Sequence, residues 1–493
     1  MDAAHFIAVD LGATSGRVMH ARLDGERIEL TEIHRFANEP VMLPGALHWD
    51  ILGIWAEMLR GLRRYARGGG APLAGIGVAT WGVDYALLGA DGRLLANPHH
   101  YRDGRTAGRL PALHARIGEG ELYAATGIPS LELNTSTQLF SAVEQGESAL
   151  AAAKTPLTTP DLLHYWLCGR VRGELTMAST TQLLDAHRDA WSPEMCERLG
   201  IDAALLPPLI SPGTVLGPIR AEVAAATGLS PDTPVIASAS HDTASAVAAV
   251  PELSRGDAFL SSGSWSLLGV ERDGPVTTPG ALAQGLSNER GAGGKTLLLR
   301  NIPGLWLLEE CRRAWRAAGR DYDWPELLAG AEAAEPFAYL VDPAAASLTA
   351  PGDALVKLAD YCAGTGQALP SEPAGIVRGY LESLALAYSE ALAGLEGVLG
   401  ESIRTVRVVG GGSRNALLNQ LTADACGRAV VAGPVEATAL GNVVAQAAAT
   451  GRLGDVGVGR RVVGGSVERS RFVPGGGVFW GEARRRYAGL VSA

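Results

Sequence analysis

FIAVDLGATSGRVM, residues 6–19, is the stretch from which the architecture of the chain can be read. An apolar run from Phe6 to Val9 meets an acid at Asp10, then Gly12, two hydroxyl residues and Arg17. Apolar residues without alternation are the pattern of a strand buried on both faces, in a sheet covered by helices. Residues 11–16 then read as a tight turn. Turns rich in Gly, Thr and Ser are mostly just turns. The alternative is a phosphate cradle: Gly12 and Gly16 admit a ligand to the backbone, while Thr14, Ser15 and Arg17 supply hydroxyl and guanidinium donors. Asp10, at the strand end, would suit a hydrated Mg²⁺, which prefers oxygen ligands and keeps several waters. The turn alone does not decide between them.

Further along the chain, GERIELTEIHRF (25–36) predicts an antiparallel neighbour, and DILGIWAEMLRGLRRYAR (50–67) has the apolar spacing of a helix. LAGIGVAT (73–80) reads as another buried strand. Asp91-Gly92, between apolar runs, signals a hairpin. The alternation of strands and helices to about residue 240 predicts an α/β domain. The pattern then restarts: AFLSSGSWSLLGV (258–270) repeats strand, small-residue turn and strand. A long amphipathic helix (374–400) leads into IRTVRVVGGGSRNALLNQLTADACG (403–427), a strand, glycine turn and helix. Two related α/β domains, 1–250 and 251–493, account for the restart.

With 493 residues, two domains are the default. The 47% apolar and 19% charged content is that of a folded globular chain, and the net charge of −10 argues against a general nucleic-acid or membrane-surface binder. Five scattered cysteines with no CxxC pair suggest reduced, mostly buried thiols in a cytoplasmic protein. The opening MDAAHFIAVD lacks the basic start and long apolar core of a signal peptide. Prolines interrupt the longest uncharged stretches, so no membrane span is expected.

The stretch PVIASASHDTASAVAAVP (234–251) carries the chemistry. A buried strand delivers His241, Asp242 and Thr243 to the start of an Ala-rich helix. Phosphoryl transfer to an alcohol needs a carboxylate within reach of the hydroxyl proton, and Asp242 fits. It also fits as a helix N-cap, and the two roles can coexist. In VVGGGSRN (408–415), glycines between strand and helix either favour an anion or merely turn the chain. GAGGKT (291–296) fails as a P-loop: the required first glycine is Glu289, and a strand-like run comes after it in place of a helix. Asp84, in an otherwise apolar run, would be costly unless paired or facing a cleft. Asn301 comes after an apolar run in the same way. YRDGRT (101–106) reads as a local salt-bridged loop.

Taken together, VDLGATSGR, TWGVDYALL, YRDGRT, ASHDTASAV, LSSGSWSLLG, RNIPGLWLLEECRR, GGGSRNALLNQLTADACG and EATALGN make nearly the whole chain resemble the FGGY carbohydrate kinases. HDTASAV and NIPGLWLLEECRR point to the rhamnulokinase branch and away from glycerol and xylulose kinases. The resemblance implies two ribonuclease H-like, actin-type ATPase domains hinged around a catalytic cleft, in a monomer or homodimer. It implies transfer of phosphate from ATP, with Mg²⁺, to the 1-hydroxyl of L-rhamnulose. The runner-up is another ketose such as L-fuculose or L-ribulose. A non-catalytic actin-like sugar sensor is the distant alternative.

Carried over by position, Asp242 is the general base and Asp10 holds Mg²⁺, while Ala13, Thr14, Ser15, Gly16 and Arg17 flank the transferring phosphate. Gly82, His241, Thr243 and Asn301 line the sugar site, with Asp84 a further candidate. Ser264, Gly411 and Gly412 bind nucleotide phosphates, with Asn415 and EATALGN near the adenosine. Two positions depart from the pattern: Ser264 where Thr is expected, and Glu309 where some relatives carry Gln at the nucleotide site.

Overall fold

A computed structural model describes residues 3–350, 352–476 and 479–491. The chain divides into two compact units, each assembled from three stretches of sequence. The first comprises residues 1–252, 271–298 and 437–467; the second comprises 253–270, 299–436 and 468–493.

The first unit is built on a six-stranded sheet in the order Thr214–Pro218, Pro234–Ala237, Leu73–Thr80, Ala4–Leu11, Ser15–Leu23, Ile28–Ala37. Ala4–Leu11 pairs in parallel with Leu73–Thr80, which pairs in parallel with Pro234–Ala237. Ser15–Leu23 and Ile28–Ala37 continue antiparallel, as the sequence predicts. Ile7, Val9, Leu11, Ile76, Val78 and Val235 are buried together, the reason these strands read as unbroken apolar runs. On one face lies the helix Ile51–Arg67, started by Asp50, whose carboxylate accepts from Gly53 N at 2.9 Å. Its Gly61 lets it press on the sheet, since a Cβ there would lie 2.5 Å from Val18 Cγ2. The helix Ala437–Ala449 packs on the same sheet, and Gln446 Nε2 donates to Ile7 O at 2.9 Å.

Two expectations need correction here. Between residues 100 and 210 the alternation lapses into helices and strands of two to four residues, around a second core that includes Tyr85, Leu113, Phe140 and Leu199. The Asp91-Gly92 turn does form, with Gly92 at φ +72° and Leu95 N donating to Leu87 O. However, the strand Tyr85–Leu88 takes Thr155–Thr158 as its ladder partner.

In the second unit the strands run Thr296–Pro303, Trp265–Arg272, Asp257–Ser262, Thr405–Val409, Ala429–Ala432, Ser470–Phe472. Asp257–Ser262 forms an antiparallel hairpin with Trp265–Arg272 and a parallel pair with Thr405–Val409, which pairs in parallel with Ala429–Ala432. That is the hairpin-plus-parallel core of the first unit built again. The strand at Thr296–Pro303 confirms that GAGGKT is no P-loop. The helices Pro373–Leu399 and Ala416–Cys426 lie where their periodicity places them.

Candidate active site

Register brings the first unit's polar residues together. Leu11 stands beside Thr80, and Thr80 bridges in parallel to His241. Three parallel strands therefore end in one row, the edge of an open α/β sheet where ligands bind. Asp10 precedes that row, Gly82 comes after it from the second strand, and Asp242 after it from the third. Asp10, distant by 232 positions in sequence, lies close enough to Asp242 to raise its pKa.

Asp10 is buried, and its Oδ2 accepts from Arg17 Nη2 at 2.5 Å; the two residues are directly opposite in the hairpin. The turn between them is closed by Gly12 N donating to Ser15 O, and Asn38 Nδ2 donates to Gly12 O at 2.8 Å. Thr14 is exposed at its tip, with Ala13 and Ser15 half-buried. Gly16 also serves packing: a Cβ there would meet Phe36 Cζ at 2.2 Å, so only glycine lets the hairpin close on this ring.

His241 is the N-cap residue of the helix Asp242–Ala248, so Asp242 is its first residue and not its cap. The neighbouring hydroxyl, Thr243 Oγ1, donates to Asp242 Oδ1 at 3.2 Å, and His241 Nε2 lies 3.4 Å from the same oxygen. About a third (32%) of the Asp242 side chain is open to solvent. Even so, desolvation is the largest influence on its carboxyl and pushes the pKa up; His241 opposes and Asp10 adds to it. A carboxylate whose pKa is raised in this way is suited to accept a proton.

Two residues that sequence reasoning missed support this turn. Glu174, fully buried, accepts from Thr176 N at 2.9 Å, from Ser240 N at 3.1 Å and from Thr176 Oγ1; that hydroxyl accepts from His241 N at 3.0 Å. Burial raises the Glu174 carboxyl to about 7 against these donors. Glu289, read in sequence only as the residue that spoils a P-loop, places Oε2 3.3 Å from His241 Nδ1. An acid just after an apolar run marks Asp10, but neither glutamate has such a signal: Glu174 sits in a two-residue strand and Glu289 in the polar five-residue strand Leu286–Arg290.

Asp84 is not in a strand; it ends the turn 81–84 and is wholly buried. Its Oδ2 accepts from Trp49 Nε1 at 2.6 Å and Trp81 Nε1 at 2.9 Å, and its Oδ1 from Gln138 Nε2 at 3.2 Å. Burial raises its carboxyl to about 6 despite those bonds. The acid thus meets the condition of being paired, and it anchors the turn from beneath. The same turn holds Val83 at φ +68°, a strained value for a β-branched residue, with Val83 N donating to Thr180 Oγ1 at 3.2 Å. YRDGRT is more than a local loop: Asp103 caps its own 3₁₀ turn but also accepts from Leu47 N at 2.6 Å, and Arg105 donates to Gln138 Oε1 at 2.7 Å.

The remaining candidates belong to the second unit. The 262–264 turn and the glycine turn end adjacent parallel strands, so Gly412 packs on Ser262, whose Oγ would lie 2.0 Å from a Cβ there. Gly410 needs its φ of +82°, whereas a Cβ on exposed Gly411 would meet nothing. Ser264 O accepts from Gly304 N at 2.9 Å, which seats the start of the helix Trp306–Ala317. On that helix Glu309 is held by Arg312 Nη1 at 3.0 Å and Trp324 Nε1 at 2.8 Å, so its charge is already countered. Asn415 caps the helix Ala416–Cys426 through Oδ1, 2.9 Å from Leu418 N. Asn301 lies on Thr296–Pro303. EATALGN is divided: Glu436 falls in the second unit, and the helix from Ala437 packs in the first, beside the Asp242 helix.

Among the described residues no group of three or more His, Cys, Asp or Glu forms a metal cage. A hydrated Mg²⁺ needs none, because one or two carboxylates and phosphate oxygens suffice. Buried Asp10, beside Asp242, has the right chemistry for that. Likewise, no helix among the described residues is long and apolar enough to cross a membrane.

Two α/β units are built on the same hairpin-plus-parallel core, the architecture of an actin-like ATPase fold, and the first brings two carboxylates to one sheet edge. The fold matches the gluconate kinase of Lactobacillus acidophilus (TM-score 0.80, 17% identity, covering 100% of this chain and 97% of that one). It also matches Plasmodium falciparum glycerol kinase with ADP (TM-score 0.79, 17% identity, covering 99% and 98%). Residues 5–249 match the N-terminal domain and 258–450 the C-terminal domain of the FGGY family of carbohydrate kinases. Rhamnulokinase of Bacteroides thetaiotaomicron is 43% identical over 487 residues, 99% of each chain, and that of Enterococcus faecalis 41% over 462, 93% of this chain and 92% of that one. The chain belongs to the FGGY family of carbohydrate kinases. It is a phosphotransferase acting on a sugar hydroxyl, with ATP and Mg²⁺ as its partners in the reaction.

Proposed function

We propose that the chain transfers the γ-phosphoryl group of ATP to the 1-hydroxyl of L-rhamnulose, giving L-rhamnulose 1-phosphate and ADP. The observation that carries this reading is the approach of Asp10, itself bonded to Arg17, to Asp242 at one sheet edge, in a chain 43% identical to a rhamnulokinase along its full length. An Asp242 carboxylate oxygen takes the hydroxyl proton as the sugar oxygen attacks the γ-phosphorus and the bond to the β–γ bridging oxygen breaks, leaving ADP. Asp10 holds Mg²⁺, which neutralises phosphate charge when bound, and the turn from Ala13 to Arg17 flanks the moving group. Gly82, His241, Thr243 and Asn301 contact the sugar, while Asp84 supports the Gly82 turn from below. Ser264, Gly411 and Gly412 take the nucleotide phosphates, with Glu309 and Asn415 nearby. Residues 1–250 serve mainly the sugar and 251–493 mainly the nucleotide. Five free cysteines, three of them buried, support a cytoplasmic setting.

The test is ADP release with L-rhamnulose, L-fuculose and L-ribulose by wild type and Asp242→Asn. Loss of the base lowers kcat by about 10²–10⁴-fold with little change in melting temperature. Near-normal turnover by the variant sinks the base assignment. Preference for another ketose replaces the substrate and keeps the chemistry.

A further inference from the structure

We propose that Glu289 is a positioning residue for the phosphoryl transfer, acting through His241 on the Asp242 carboxylate. This deepens the base reading above and rests on it.

The three side chains form a line. Glu289 Oε2 is 3.3 Å from His241 Nδ1, and His241 Nε2 is 3.4 Å from Asp242 Oδ1. His241 and Glu289 each keep only 7% of their side-chain surface. Neither Nδ1 nor Oε2 has any other hydrogen-bond partner among the described residues, so each polar atom faces the other alone. Burying a lone carboxylate there would be costly, and a buried cation opposite it relieves that cost.

Glu289 cannot readily move aside. Its strand Leu286–Arg290 is pinned along one edge: Tyr123 Oη donates to Leu286 O at 2.7 Å, Asn288 N to Gly127 O at 2.9 Å, and Arg290 N to Ser179 Oγ at 2.8 Å. The residue is therefore presented to His241 by a rigid element, as a group that orients an imidazole must be.

The charged groups facing His241 are Glu289, Asp242 and Glu174, and Asp10 faces Asp242 from Ala4–Leu11, one strand removed from Pro234–Ala237. The helix Ala437–Ala449, packed against the Asp242 helix, brings neutral Thr438, whose Oγ1 donates to Asp242 O at 3.4 Å. Arg460 reaches the far end of that helix, donating to Val247 O while paired with Glu271. Burial alone would lower the imidazole's pKa, but Glu289 first, then Asp242 and Glu174, carry it above its usual value. A charged His241 in turn keeps Asp242 ionised against its own desolvation.

Glu289→Gln and Glu289→Asp separate this role from packing. Gln keeps the volume and removes the charge; Asp keeps the charge and leaves a gap. The expectation is that Gln lowers kcat about 10–100-fold with KM for the ketose little changed, and that Asp recovers most of kcat. ¹⁵N spectra of histidine-labelled protein, assigned with His241→Gln, show an imidazolium at 241 in wild type near neutral pH and a neutral ring in Glu289→Gln. The reverse order, Gln active and Asp impaired in step with melting temperature, overturns the proposal. So does an unchanged imidazolium signal in Glu289→Gln. An inactive Asp242→Asn beside a fully active Glu289→Gln removes the Glu289 role alone, whereas an active Asp242→Asn removes the base reading and this proposal with it.

Discussion

Replacing Gly441 by alanine tests whether the helix that carries the base is held by backbone contact. Gly441 lies inside Ala437–Ala449, packed on Asp242–Ala248. A Cβ at Gly441 would lie 1.7 Å from Ser245 O and 2.6 Å from its carbonyl carbon, where real Cβ contacts begin near 3.0 Å. The obstacle is backbone, so no side chain can rotate away and the helices must part by more than an ångström. In an exposed helix, Gly→Ala gains up to about 1 kcal/mol; overpacking here costs about 1–3 kcal/mol. With a backbone obstacle the upper end of that range applies, leaving a net loss of about 2 kcal/mol. Ser245 is only three residues beyond Asp242, and a shift of an ångström at a reacting group costs about 10²-fold in rate. Differential scanning calorimetry and ketose-stimulated ADP release read both effects. Gly397→Ala is the internal control: that glycine is exposed in Pro373–Leu399 and a Cβ there meets nothing within 4 Å, so it should stabilise by up to about 1 kcal/mol. A Gly441→Ala protein that melts with wild type and keeps its kcat would refute the reasoning.

Two further outcomes are expected. Glu174 has a folded-state pKa of about 7, above its ordinary 4.5, so its stabilising share is complete below pH 4.5 and is lost as pH rises to about 7. Comparing melting curves of wild type and Glu174→Gln over that window should show a difference of at most about 3 kcal/mol that levels off above pH 7; a difference independent of pH contradicts it. Asp84→Asn turns an amide NH₂ toward either the two indoles or Gln138, all donors, and should cost about 1–3 kcal/mol in urea unfolding followed by tryptophan fluorescence; an unchanged midpoint excludes the role assigned to Asp84.

The strand-turn units, the restart near residue 258, Asp10 at the end of a strand and Asp242 at the start of a helix were all legible in the amino-acid sequence, because those features are local: apolar runs, turn residues and helix starts are written in consecutive positions. The sequence also marked Asp84, since an acid in an apolar run demands partners, but it could not name Trp49, Trp81 and Gln138. The glycines show the same limit from the other side. Gly16 and Gly412 read as turn glycines beside a ligand; that each also makes room for a neighbour, Phe36 and Ser262, is decided only by packing. Three features emerged only in the folded chain: the row Leu11–Thr80–His241, the return of residues 271–298 and 437–467 to the first unit, and the pairing of His241 with Glu289 across 48 positions. A strand's hydrogen-bonding edge is the same whichever partner it takes, so register and the company of buried charges follow from how the surfaces of the whole chain fit together.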